Sequence, residues 1–203
     1  MKKIYSFQNG ADLNKLDYVY SPLCEEYKTF RIEERCIVNA TNPFPSRFDY
    51  ISLIEKTKRS GSVTMTARCS FESYGAPLLL ISNDIRTDEN GKKLYGELFE
   101  VVVFEKGCNV WRILPQPYEI TVNSKPYRLP ITPVSLHTES FEIAGNTLID
   151  LQVEIVSKTL KINVNGRTFD VTIPQLPDEF FVGFTACEGI NRFYEFTVDE
   201  QII

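Results

Sequence analysis

The chain of 203 residues carries 43% hydrophobic and 24% charged side chains, a net charge of −5 and a pI near 5.1. Those proportions exclude wholesale disorder, and the length suits one β-rich domain spanning 1–203, because sandwiches of about 200–250 residues commonly stay undivided. The acidic balance, with its lysines and arginines scattered, speaks against a nucleic-acid partner.

Taken in chain order, Met1-Lys2-Lys3-Ile4-Tyr5-Ser6-Phe7-Gln8-Asn9-Gly10 brings in polar residues before any apolar leader core forms. No run approaches the roughly 18 apolar residues of a membrane span, so no membrane partner is expected. Ala11–Leu16 is the one segment with helical character, and it is short. Five cysteines (Cys24, Cys36, Cys69, Cys108 and Cys187) are odd in number, spread out and free of any CxxC pair. Cys36 and Cys69 fall on the apolar phase of strand-like runs. Buried free thiols in a reducing cytoplasm fit this pattern better than a disulfide framework.

The dominant hydrophobic period is two. Phe30–Val38 and Phe48–Ile54 read as strands, and Val63-Thr64-Met65-Thr66-Ala67-Arg68-Cys69-Ser70-Phe71 alternates without a break. Alternate strand residues face opposite sides of a sheet, so this run has one core face and one wet face. Leu78–Ile85, Leu94–Phe104 and Val110–Leu114 follow. Within them, Leu98–Phe104 is apolar on both phases, which predicts cover on both sides, with the proline-rich stretch Pro115–Pro133 as a candidate lid or large neighbours as the alternative. Leu148–Val156 alternates again, with Asp150, Gln152 and Glu154 outward. Leu160, Ile162 and Val164 lead into Asn165-Gly166, whose positive-φ preference marks a tight hairpin, and Phe169, Val171 and Ile173 return. Phe180–Ala186 and Phe193–Val198 close the chain. About a dozen strands with turn residues between them predict an all-β, two-sheet antiparallel sandwich or a barrel.

The last third carries a recognisable succession: Leu148–Val156, Thr159-Leu160-Lys161-Ile162-Asn163-Val164-Asn165-Gly166, Val171-Thr172-Ile173-Pro174, Phe181-Val182-Gly183-Phe184 and Gly189-Ile190-Asn191-Arg192-Phe193-Tyr194-Glu195-Phe196-Thr197-Val198. It resembles the closing strands of the concanavalin A-like lectin and glucanase superfamily, over roughly residues 145–200. The resemblance implies a jelly roll, and a carbohydrate partner held on the concave sheet, in bacterial polysaccharide use. A glycoside hydrolase or lyase on the same scaffold is the alternative, and a protein-interaction module is a further one. Fold by itself does not choose among them.

A retaining glycosidase needs two carboxylates about 5–5.5 Å apart. The resemblance implies an ExDxxE strand for that purpose, and the sequence has none. Glu97 and Glu100 are the nearest substitutes, but acids three apart on a regular strand face opposite ways unless a bulge intervenes. Asp150 and Glu154 share a face with about 13 Å between Cα atoms, which reads as a solvated row. The sole histidine, His137, is a candidate general base or sugar contact, with a surface-loop residue as the competing reading. With one histidine and no regular acidic cluster, no transition-metal site and no other cofactor is expected. Some members of the superfamily hold calcium, and the oxygen-rich Asp84, Asp88, Glu89 and Asn90 would be the ligands here, though not at EF-hand spacing.

Sugar recognition requires an aromatic platform and planar polar groups. Trp111, the only tryptophan, is the candidate platform, with Arg112, Tyr118 and Tyr127 as further ligand-binding candidates. Trp111 and Arg112 are adjacent, so a regular strand sends them to opposite faces; core packing of Trp111 is the competing reading. Motifs for a serine nucleophile or a phosphate loop are absent, and Cys108 has no identifiable partner.

Overall fold

The computed structural model describes residues 1–21, 29–40, 51–122, 124–129 and 131–201. In chain order the strands are β1 (Lys2–Ser6), β2 (Leu16–Tyr20), β3 (Arg31–Ile32), β4 (Ile37–Ala40), β5 (Ile51–Glu55), β6 (Arg59–Ser60), β7 (Ser62–Ser82), β8 (Ile85–Thr87) and β9 (Lys93–Tyr95). There follow β10 (Leu98–Phe104), β11 (Gly107–Leu114), β12 (Tyr118–Val122), β13 (Lys125–Leu129), β14 (Thr132–Ser140), β15 (Ile149–Val156), β16 (Thr159–Val164), β17 (Arg167–Thr172) and β18 (Glu179–Gln201).

The architecture is an all-β sandwich built around two long strands, antiparallel throughout the pairings described except for the parallel bridge between β2 and β9. The second half of β7 and the first half of β18 run side by side in a first sheet, of order β14-β11-β10-β7-β18-β5-β2-β9-β8. The first half of β7 and the second half of β18 run side by side in a second, of order β17-β16-β15-β7-β18-β1. Both long strands therefore pass from one layer to the other. They do so where Gly75 pairs with Gly189, between register shifts at Ala186/Gly189 and Gly189/Asn191. Strands that change sheets need such bulges and bends at the corner.

The glycines at this corner are required by space and by backbone. Gly189 has φ +67°, and an added methyl would overlap the Tyr74 carbonyl; at Gly75 it would overlap the Phe71 Cβ and the Asn191 amide oxygen. Asn191 is fully buried in the room that Gly75 leaves, and its amide nitrogen donates to the Glu188 carbonyl at 2.6 Å.

The core lies between the layers. Val63, Met65, Ala67, Cys69 and Phe71 from β7 meet Ile149, Leu151, Val153 and Ile155 from β15, with Phe99, Val101 and Val103 arriving from β10. Phe184 sits at its centre, with ring centroids 5.3 Å from Phe7, 4.7 Å from Phe193 and 5.0 Å from Phe196. Each such burial contributes about 1.5–3 kcal/mol. The Asn165-Gly166 hairpin forms as expected, with φ of 52° and 87°.

Several expectations are corrected. Ala11–Leu16 makes no α-helix: a 3-10 turn spans Leu13–Lys15 and Leu16 opens β2. Phe30–Val38 is a short hairpin, β3 with β4, closed at Glu33 and Cys36. Val63–Phe71 and Leu78–Ile85 are mostly one strand, as are Phe180–Ala186 and Phe193–Val198, while Leu94–Phe104 is broken between β9 and β10. Of Phe48–Ile54, the part before Ile51 lies outside the described residues, as does Cys24. Cys36, Cys69 and Cys108 are buried free thiols, and burial followed by the Glu139 charge pushes the Cys108 thiol up to about 12. Among the described residues no helix is long and apolar enough to cross a membrane.

Candidate functional site

The first sheet has a second apolar face, turned away from the core. Register places Leu78, Leu80, Leu98, Glu100 and Val102 there, since Val102 pairs with Leu78 and Glu100 with Leu80, while Phe99 and Val101 point inward. Tyr95, Ile131, Trp111 and Phe181 pack against this outer face. The double burial read from Leu98–Phe104 is thus real: the core lies on one side, and Ile131, from the proline-rich stretch, contributes on the other.

At the corner end of this face is a cleft of about 310 Å³, lined by Glu100, Val102, Asn109, Trp111, Glu105 and Glu188 together with Ala76, Phe104, Pro133 and Cys187. The β10–β11 register makes the cleft intelligible. Glu100 lies opposite Trp111 and Val102 opposite Asn109, so all four side chains share the outer face. Glu105 comes from the turn joining these strands. Cys187 and Glu188 come from the irregular part of β18, where the register shift brings them over the sheet.

Glu100 is buried, at 3% exposure, beside the half-buried Trp111. The Asn109 amide oxygen is buried and accepts no hydrogen bond. An acceptor left in that state costs about 1–3 kcal/mol of stability. The Cys187 thiol is pushed well up by burial, and then by the charges of Glu100 and Glu188, which puts both carboxylates within electrostatic reach of it. A neutral, poorly nucleophilic thiol follows.

The other candidates are placed elsewhere. Arg112 lies opposite Phe99, on the inward phase, with its guanidinium 6.0 Å from that ring's centroid and ion-paired to Glu97. Trp111 and Arg112 therefore do point to opposite faces, as do Glu97 and Glu100. His137 is not a loop residue: it lies on β14 opposite Val110, half-buried and stacked on Phe169 at 5.4 Å. Val110 faces the core, so His137 is across the sheet from Glu100, and its Nε2 is 3.5 Å from a Glu139 oxygen. Tyr118 is exposed on the β12–β13 hairpin, and Tyr127 lies opposite Ile120 there, its side chain outside the described part.

In the oxygen-rich loop, one Asp88 oxygen accepts the backbone N–H groups of Asn90 and Lys92, and Asp84 pairs with Arg86 at 3.1 Å. Those carboxylates shape a turn. Among the described residues no three His, Cys, Asp or Glu side chains are grouped to hold a metal ion.

Asn109, Glu105 and Glu188 were not singled out from sequence. Asn109 had a signal, because it stands two residues before Trp111 on one strand and so shares its face. Glu188 had none: only the β18 register shift brings it over the cleft.

No protein-family model matches the chain, and no curated protein does. Among solved structures, a Bacillus subtilis protein of unknown function with a galectin-like fold superposes with a TM-score of 0.64 at 7% identity, over 98% of each chain. The carbohydrate-binding module CBM66 from Bacillus subtilis gives 0.58 at 12% identity, over 89% of this chain and 93% of its own. The fold is an all-β jelly roll. A further neighbour, alginate lyase A1-II′ of polysaccharide lyase family 7, superposes on this jelly roll at 0.56 with 11% identity, over 95% and 97% of the two chains. At such identities the likeness concerns the jelly roll alone.

Proposed function

We propose that this protein binds an oligosaccharide in the Trp111 cleft on the outer face of the first sheet. One observation carries the reading: the half-buried Trp111 and the half-buried carboxylates of Glu105 and Glu188 line one hollow of about 310 Å³. The indole supplies a stacking surface at small entropic cost, and the carboxylates accept sugar hydroxyl protons. The neighbours support the class of ligand, since they include a carbohydrate-binding module, an alginate lyase and a lumenal domain of VIP36 solved with mannose and Ca²⁺. A cytoplasmic location, in keeping with the free thiols, would make the ligand an oligosaccharide already imported.

A second reading, a hydrolase or lyase, is favoured by one feature, the presence of Glu100, Glu105 and Glu188 in one cleft. Glu97, Arg112 and His137 take no part in it, because the sheet separates them from Glu100.

A glycan array read for both binding and released ends tests the two. Binding without cleavage is expected, weakened at least about tenfold by Trp111→Ala, in line with the loss of an aromatic anchor. Turnover abolished by Glu100→Gln would replace binding with catalysis. Silence on every glycan would leave the interaction-module alternative.

A further inference from the structure

We infer that the cleft selects an oligosaccharide bearing a protonated amine, an amino-sugar chain, over neutral and anionic glycans; the inference rests on the carbohydrate reading above. Among the described lining residues, Glu100, Glu105 and Glu188 are acidic and none is a lysine, arginine or histidine. The cations nearest in sequence or on the same strand are engaged elsewhere. Arg112 is across the sheet on Glu97, and Lys106, next to Glu105, lies 3.7 Å from Glu142.

Hydrogen-bond polarity points the same way. The half-buried Glu105 and Glu188 carboxylates in the cleft are acceptors alone, beside the donors of the Trp111 indole and the Asn109 amide. A uronate or a sulfate brings charge of the same sign as these carboxylates, so it meets repulsion. A neutral hydroxyl donates one proton. An ammonium group donates three and adds charge, and the face of Trp111 attracts a cation within about 6 Å. Charge, donor direction and aromatic floor therefore favour one ligand chemistry.

Calorimetry distinguishes it, using a glucosamine oligomer, its N-acetylated counterpart of equal length, a neutral glucose oligomer, an oligouronate and a linear polyamine. At low salt the glucosamine oligomer is expected to bind about tenfold more tightly than its acetylated counterpart, with the preference shrinking as ionic strength rises. Glu105→Gln and Glu188→Gln, on the half-buried rim, should each bring that ratio toward one. Asp178→Asn, an exposed acid on Lys158, should leave it unchanged. Thermal unfolding of each variant confirms that the fold is retained.

Equal affinity for the free and acetylated amines, or tighter binding of the oligouronate, overturns the inference and leaves the carbohydrate reading standing. A polyamine that binds as tightly as the amino sugar reduces the cleft to a cation site and overturns it as well. Binding of no glycan at all defeats both readings.

Discussion

Glu55 is 1% exposed and yet ionisable, and its neighbours explain how that is tolerated. The Tyr5 hydroxyl donates to one of its oxygens, the Arg59 guanidinium holds the other, and Lys3 lies 3.5 Å away; Arg59 in turn reaches Glu200 at 2.8 Å. Burial, and then the Glu55 hydrogen bond, raises the Tyr5 phenol far above its usual value. Breaking a buried pair strands a charge, so Arg59→Ala should cost about 3 kcal/mol of stability, measurable by urea unfolding. Glu200 is shifted down, chiefly by its hydrogen bond from Arg59. A carboxylate with a depressed native pKa stabilises fully above its unfolded value of about 4.3 and loses that contribution as pH falls through the native one. Stability should therefore decline below about pH 4–5, and an Arg59→Met variant should show a shallower acid limb than the parent. An equally steep limb would remove Glu200 from the account. At the cleft, Asn109→Leu removes an orphaned acceptor in favour of apolar surface; thermal stability should hold or rise while glycan affinity falls.

At the level of elements, the hairpins were legible and the joins were not. Val63–Phe71 and Ile149–Val156 alternate so regularly that their inward residues could be named, and Asn165-Gly166 announced its turn. The fusion of two expected strands into β7, and of two more into β18, could not be read. Glycines and polar residues at the corner look like loop punctuation in a linear chain, whereas here they carry strands around a bend. His137 was misplaced for a related reason. It lies on an edge strand with little apolar alternation, and only pairing with β11 reveals the strand. The corner makes a quantitative prediction. Gly189→Ala should lose the left-handed backbone cost of about 1–2 kcal/mol and more besides, because a methyl meets the Tyr74 carbonyl. Gly61→Ala, at φ +73° with nothing within 4 Å, should lose the backbone cost alone. Melting temperatures, which move about 2–4 °C per kcal/mol at this size, separate the two. Equal losses would mean that the corner relaxes around the methyl.

For the whole molecule, the sharing of β7 and β18 between sheets is the governing fact. Neither layer can lose its central strands while the other keeps them, and β1 ties Lys2 to Asp199 across nearly the full chain. Unfolding should therefore be one cooperative transition. Fluorescence of Trp111, which reports on the first sheet, and far-ultraviolet circular dichroism, which reports on both, should give the same midpoint. Separated midpoints would show two units that melt independently. Refolding should be slow for a chain this size, since pairings so distant in sequence require loop closure before they return energy.

By itself the sequence determined the all-β class, the inward face of the regular strands, the tight hairpin and the opposite facing of Trp111 and Arg112. All of these follow from the two-residue period of an extended chain, which is a local property. The tertiary structure decided which residues share a cleft. Glu100, Trp111 and Glu188 are brought together by cross-strand register and by a bulge at Gly189. Register between strands distant in sequence is set by packing on both faces of the sheet, and no local pattern records it.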